Sequence, residues 1–545
     1  MIGGALAAAL LAAPATASRR SESRDPARTY VAARAAALSG DYGRSAELLA
    51  ALAEADPANL AVRRQATSEA LAAGNTELAV RLARSHPVTD LAIDARLLLA
   101  ADELRSKRFD RAGALLAGKN EGADISFLIP LLHAWWAAER GDLGRAVKAL
   151  DGAPADGVLA RLSDEHRAFI LLKFRRTAEA EPYARRAIAA AQGRELRIRL
   201  GLADAFLAAG DRARAAAMVD GISGRALPLR AQVLAGRRNG LAVDTALEAF
   251  SEVFLSLAID LNRVENRELP ISLSRIARYA DPNNSSAAIL LGLFLAQADR
   301  TDAALAAFRE VPRNDWLSPH ARDGEAQALA EAGRVNEALA AASAAVRTPG
   351  AGAADFARLG DAFDEVKRHG EAADAYARAT QLAEQGQRWQ YLLLRASALE
   401  SADRWPEARA DLQAALALAP DQPLILNFLG YAKLERGEDL DTAEAMIRKA
   451  SELAPNDASI TDSLGWALYK RGRIEEAIEV LQKAARADAA QAEIHEHLGD
   501  ALYAAGRKFE ARFAWEAAVV TAEDDVAPRL RAKIVSGLTP ATAAP

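Results

Sequence analysis

Two histidines stand close enough to suggest a metal site: His495 and His497. Imidazoles four apart on a helix share one face and can grip a zinc ion; two apart, they point in different directions. They are read as ordinary interface or surface histidines. Carboxylates abound, as in Glu475-Glu476 and Glu523 to Asp525. Where they begin a helix they complement its dipole, without catalytic duty. The chain has no G-x-x-x-x-G-K-[ST] loop, no H-E-x-x-H, no G-x-S-x-G and no G-x-G-x-x-G after a strand. It has no cysteine, which removes catalytic thiols, thiolate zinc sites and disulfides. Trp135-Trp136 is conspicuous; on a helix one ring must face the core and the other lie nearer the surface. The chain is read as a non-enzyme with no metal and no cofactor.

The elements that carry these residues show a period. Leu429-Gly430, Leu464-Gly465 and Leu498-Gly499 place glycines 35 and 34 residues apart. A small residue follows each pair (Ala443, Ala477, Ala511), then a bulky one four places on (Ile447, Leu481, Trp515), then another alanine (Ala450, Ala484, Ala518). Two antiparallel helices that cross closely tolerate only Gly or Ala at the crossing, and the bulky residue fills the groove beside it. Asp457 is placed to cap the first helix of the middle copy and Gly472 to end it, while Pro420 and Pro455 stop the second helices of their units.

The pattern resembles the tetratricopeptide repeat, a helix-turn-helix unit of about 34 residues. Tracking the crossing residue extends it. Ala46, Ala79, Ala112, Ala146, Ala180 and Ala215 recur at 33 to 35 residues, with Gly40-Asp41, Gly74-Asn75, Gly141-Asp142 and Gly210-Asp211 as turn signals. Ala304, Ala338, Ala372, Ala408, Ala443, Ala477 and Ala511 recur at 34 to 36, with fillers from Phe308 and Tyr376 to Leu412 and Trp515. The expected fold is all-α: a right-handed α-solenoid superhelix of about fourteen such helix pairs. A solenoid also explains how 545 residues can fold without one large core.

The expected organisation runs as follows. Residues 1–17 read as a secretory signal, with an apolar run and the small-x-small site Ala15-Thr16-Ala17, though no basic residue precedes the run. Residues 18–25 are a linker and 26–219 a degenerate array. Residues 220–268 break phase as a junction holding one long helix, Leu241 to Leu261. Residues 269–521 form the sharper array, 522–538 a capping helix over the exposed apolar face of the last repeat, and 539–545 a disordered tail. Composition (51% hydrophobic, 26% charged, net charge −6) suits a folded chain, and without a clustered basic run nucleic acid is an unlikely partner.

The resemblance implies that the first helix of each pair lines the concave, protein-binding face. Three before, one after and four after each glycine stand Asn427, Tyr431 and Leu434; Asp462, Trp466 and Tyr469; Glu496, Asp500 and Tyr503. Aromatic side chains carry much of the energy of protein interfaces, and an acidic rim suits a basic or neutral partner. The alternative is that Trp466, Tyr469 and Tyr503 pack between repeats. The carboxylate clamp of some family members needs inward Lys and Asn; only Asn427 fits, so recognition of a chaperone tail is not expected.

Residues 426–450, 460–473 and 494–518 also resemble long repeat proteins of Gram-negative envelopes. Among them is the lipoprotein adaptor that brings a periplasmic carboxyl-terminal processing protease, a PDZ-type enzyme, to murein hydrolases. That resemblance implies a periplasmic adaptor with those partners; with no cysteine, the lipid anchor has no acceptor here. A cytoplasmic scaffold and an accessory factor of a glycan-synthesis enzyme are the competing readings.

Overall fold

The computed structural model describes residues 25–117, 119–120, 123–152, 157–191, 193–222, 226–262, 268–348, 351–539 and 542. The leader at 1–17, the linker up to residue 24 and most of the tail at 539–545 lie outside the described residues. What is described is helical apart from turns and a minute antiparallel pairing of Lys119–Asn120 with Ala123–Asp124. No described helix is long and apolar enough to cross a membrane.

Helices come in consecutive pairs, and local chemistry sets their ends. In the N-terminal part, Gly40, Gly74, Gly141 and Gly210 turn the chain with φ between +80° and +92°. The next residue then caps the second helix: the side chains of Asp41, Asn75, Asp142 and Asp211 accept a backbone N–H from the first turn. In the C-terminal part, Asp457 accepts from Ile460 N at 3.0 Å, as its position predicts.

The crossings are where the spacing puts them. Every tracked alanine, from Ala46 to Ala511, is buried. The opposing glycines admit no side chain. A Cβ added at Gly430, Gly465 or Gly499 would come within 3.0 Å of Ile447, Leu481 or Trp515, and one at Gly360 within 3.0 Å of Tyr376. The fillers are thus seated against the knuckles, as close packing of two helices demands.

The chain divides into two compact units, Met1–Ala332 and Gly333–Pro545. In the first, six pairs run from Pro26–Leu38 to Arg212–Met218, and Leu227–Leu234 follows alone. Next come Ala246–Leu261 and Glu268–Ala280, packed together as a hairpin, then the pair Ser285–Gln297 and Thr301–Arg309, and Ser318–Glu331. In the second unit Val335–Ala345 precedes five pairs, from Ala353–Glu365 and His369–Leu382 to Ala492–Ala504 and Lys508–Thr521; Ala527–Ser536 closes it.

The segment expected to be a junction is built into the first unit. Its helix begins at Ala246, not Leu241, because Thr245 and Glu248 form a capping box there. The hairpin lies across first helices of earlier pairs: Ala246–Leu261 against Ile93–Arg105 and Ile129–Glu139, Glu268–Ala280 against Leu60–Ala73 and Ile93–Arg105. Polar contacts hold it down. Ala246 N donates to Glu139 at 2.7 Å, Tyr279 Oη donates to Asp102 at 2.7 Å, and Arg275 donates to the Leu71 carbonyl at 2.8 Å.

Candidate functional site

In the second unit the inward row of first-helix side chains is built from three consecutive repeats. The helices are Pro423–Glu435, Ala458–Lys470 and Ala492–Ala504. Their glycines let the second helices approach closely, which turns the opposite edge of each first helix toward the row.

The nine expected residues split into two groups. Leu434, Asp462, Trp466, Glu496 and Asp500 are buried; Asn427, Tyr431, Tyr469 and Tyr503 are half-buried. Trp466 is 1% exposed. Its Nε1 donates to Glu435 at 2.7 Å, and its ring is stacked between Tyr469 at 4.8 Å and His497 at 4.0 Å. It therefore fills space between repeats instead of standing free on the concave face, and its truncation would remove core packing. His497 is likewise buried, so of the two places expected for it, interface or surface, it takes the one between repeats. Its Nδ1 faces Asp462 Oδ2 at 2.9 Å. Burial opposes a charge on that ring, but the Asp462 carboxylate, with Glu493 and Asp500, outweighs burial and holds its pKa above the ordinary value.

The end of the row is covered. Helix Ala527–Ser536 lays Lys533, 0% exposed, against Glu496 at 2.6 Å and Asp500 at 2.8 Å. Arg529 adds two bonds to Glu496, at 3.0 and 2.8 Å. Burial raises the Glu496 pKa and the two cations, prevailing, keep it low. Trp515 Nε1 donates to Asp500 at 2.9 Å, and Gly537 lies so close to the Tyr503 hydroxyl that no Cβ would fit. Glu496, Asp500 and Tyr503 are thus engaged by the chain itself. The closing helix does cover apolar surface through Ala527 and Leu530, but its polar grip on the inward row was not legible from hydropathy.

What remains open is the row above it. Leu424 is 51% exposed, Ser397 and Ser459 are exposed, and Asn427, Tyr431 and Tyr469 present partial faces. Tyr431 sits in a negative surround: burial first, then Glu493, Glu435, Asp462 and Glu400, push its phenol well above the usual range. Sequence reasoning missed Glu400, Glu435 and Glu493. The signal was there, since Glu435 and Glu400 recur at the C-terminal ends of first helices, but only stacking brings them around one tyrosine. Elsewhere the fate of the sequence candidates is plain. Trp135 is buried and Trp136 half-buried, while His495 Nε2 lies 3.2 Å from the Ala489 carbonyl. Among the described residues no group of three His, Asp or Glu could hold a metal ion.

These features define a class: a helix-pair repeat protein with a row of acceptors and aromatic faces on its first helices. The family models agree. A TPR repeat model matches residues 465–506, and a tetratricopeptide repeat model matches 272–319 and 393–458, so these stretches are tetratricopeptide repeats. No curated protein sequence matches the chain. Among solved structures, the Cut9–Hcn1 hetero-tetramer of APC/C is similar at 16% identity, covering 94% of this chain and 96% of that one, with a TM-score of 0.37. Yeast Tom70 is similar at 11% identity over 94% and 95%, TM-score 0.37. A tetratricopeptide repeat protein of Parabacteroides merdae is similar at 16% over 45% and 96%, TM-score 0.39.

Proposed function

We propose that the second unit is a protein-docking scaffold and that its partner lies along the open row from Ser397 through Tyr431 to Ser459. The observation that carries this is the contrast within the row: its last repeat holds a helix, and the preceding repeats offer the same kind of acceptors with none of the described chain over them. A scaffold of this kind acts by geometry, raising the local concentration of one bound protein near another.

The test is site-specific photo-crosslinking. A benzophenone amino acid at Ser459, on the row, should crosslink to a captured protein; one at Lys483, on the second helix of the same pair, should not. Equal yields from both positions, or none from Ser459, would overturn the proposal.

The finer reading is an exported adaptor that brings a periplasmic processing protease to its substrates. It is supported by the resemblance of residues 426–450, 460–473 and 494–518 and by the leader-like Met1 to Ala17. A mature chain beginning at Ser18 supports export. One that retains Met1 supports the cytoplasmic scaffold.

A further inference from the structure

Asn427, Asp462 and Glu496 hold the same place in three consecutive repeats, three residues before the glycine. The third shows what that place requires. Glu496 is buried, and two cations from one helix, Arg529 and Lys533, four residues apart and so on one face, satisfy it. The first two places each leave one oxygen without a donor among the described residues. Asp462 is 5% exposed; its Oδ2 meets His497, and its Oδ1 meets no donor among the described residues. The Oδ1 of Asn427 is also withdrawn from solvent with no donor among the described residues. A buried carboxylate oxygen is stabilised only when a donor reaches it. Four carboxylates, Glu400, Glu435, Asp462 and Glu493, gather around Tyr431. Against them stand Arg436, 2.8 Å from Glu400, Lys470, 3.2 Å from Glu435, and His497, 2.9 Å from Asp462; exposed Glu493 lies 4.0 Å from the same ring, so carboxylates outnumber cations by one.

We infer that the face between Asn427 and Glu493 binds a helical segment of a partner protein that presents Lys or Arg at i and i+4. The chain's own Arg529 and Lys533 are the template for this contact. The inference rests on the docking reading and names the chemistry of its partner. A cationic helix supplies the missing donors, while a carboxylate-bearing tail would be repelled.

The experiment is calorimetric titration of the full chain with a synthetic peptide of residues 523–538, whose cationic face is the one seen bound. Two altered peptides accompany it, one with Arg529→Gln and Lys533→Gln, one with Arg529→Glu and Lys533→Glu. The parent peptide should bind, the Gln version about tenfold more weakly and the Glu version not at all. In the protein, Glu400→Gln with Glu493→Gln should weaken the parent peptide about tenfold, with circular dichroism and thermal unfolding unchanged. Equal binding of the parent and Glu peptides would overturn the inference. So would unchanged affinity in the Gln variant, since the peptide would then be exchanging with the chain's own helix at Glu496 and Asp500. Crosslinking from Ser459 that persists without binding of any basic peptide would leave docking standing and remove the cationic helix. Loss of both would remove both.

Discussion

Each unit buries a histidine against a tryptophan 31 residues earlier, in the same register of the repeat: His166 with Trp135, and His497 with Trp466. The two pairs have opposite chemistry. Trp135 meets His166 edge-on, rings at 86°, and its Nε1 donates to His166 Nδ1 at 3.3 Å. A nitrogen that accepts carries no proton, and burial holds the His166 pKa below its ordinary value. Trp466 instead lies flat on His497, rings at 12°, and leaves Nδ1 to Asp462. The residue four before each tryptophan decides the matter. It is Leu131, buried and apolar, in the first unit and Asp462 in the second. The carboxylate at that place, with Glu493 and Asp500 further off, moves the His497 pKa up where burial moves that of His166 down.

The units also differ in what lies on their first helices. In the first, the hairpin Ala246–Ala280 crosses them, with Glu252 bound by Arg194 at 2.5 Å and Arg197 at 2.9 Å. Burial opposes the Glu252 charge, yet the two guanidiniums pull its pKa down to about 2. In the second, one short helix covers only the end of the row. The starts of second helices follow that division in most pairs, although the first unit also holds Arg176–Glu179. Gly-Asp and Gly-Asn turns recur in the first unit. In the second, Arg-x-x-Glu pairs recur at Arg334–Glu337, Arg368–Glu371, Arg404–Glu407, Arg473–Glu476 and Arg507–Glu510.

The largest effect should come from Lys533→Ala. It removes the buried cation that bridges Glu496 and Asp500, leaving Arg529 on Glu496, and should cost about 3–5 kcal/mol in the second unit. Hydrogen exchange read over residues 492–536 would show it, with residues 60–280 unchanged. Gly499→Ala comes next: Trp515 must move for the new Cβ, at about 1–3 kcal/mol. Tyr279→Phe removes the bond to Asp102 and should loosen the hairpin by about 1.5–3 kcal/mol, seen as faster exchange confined to Glu268–Ala280.

The pH dependences have opposite signs. His166, whose folded pKa is depressed, stabilises the first unit fully above its unfolded value of about 6.5 and loses that contribution as pH falls below it. His497, whose folded pKa is raised, contributes fully below about 6.5 and loses its contribution as pH rises through the folded value. Local exchange between about pH 5 and pH 8 should diverge accordingly. Asp462→Leu should give the second unit the first unit's sign; a slope that stays put would break the comparison. The smallest effect should be Glu476→Gln, an exposed pair at a helix start, with no measurable change in unfolding midpoint.

Periodicity alone determined the helix pairs, because a crossing that admits only Gly or Ala imprints its spacing on the chain wherever it occurs. Ala46 and Ala511 were legible for the same reason although 465 residues separate them. Which inward side chains stay open was decided only in three dimensions. Trp466 looks like an interface anchor until His497 stacks on it, and Glu496 and Asp500 look like an acidic rim until Lys533 lies between them. Exposure depends on what distant segment comes to rest on a side chain. Neither hydropathy nor spacing within a repeat records that.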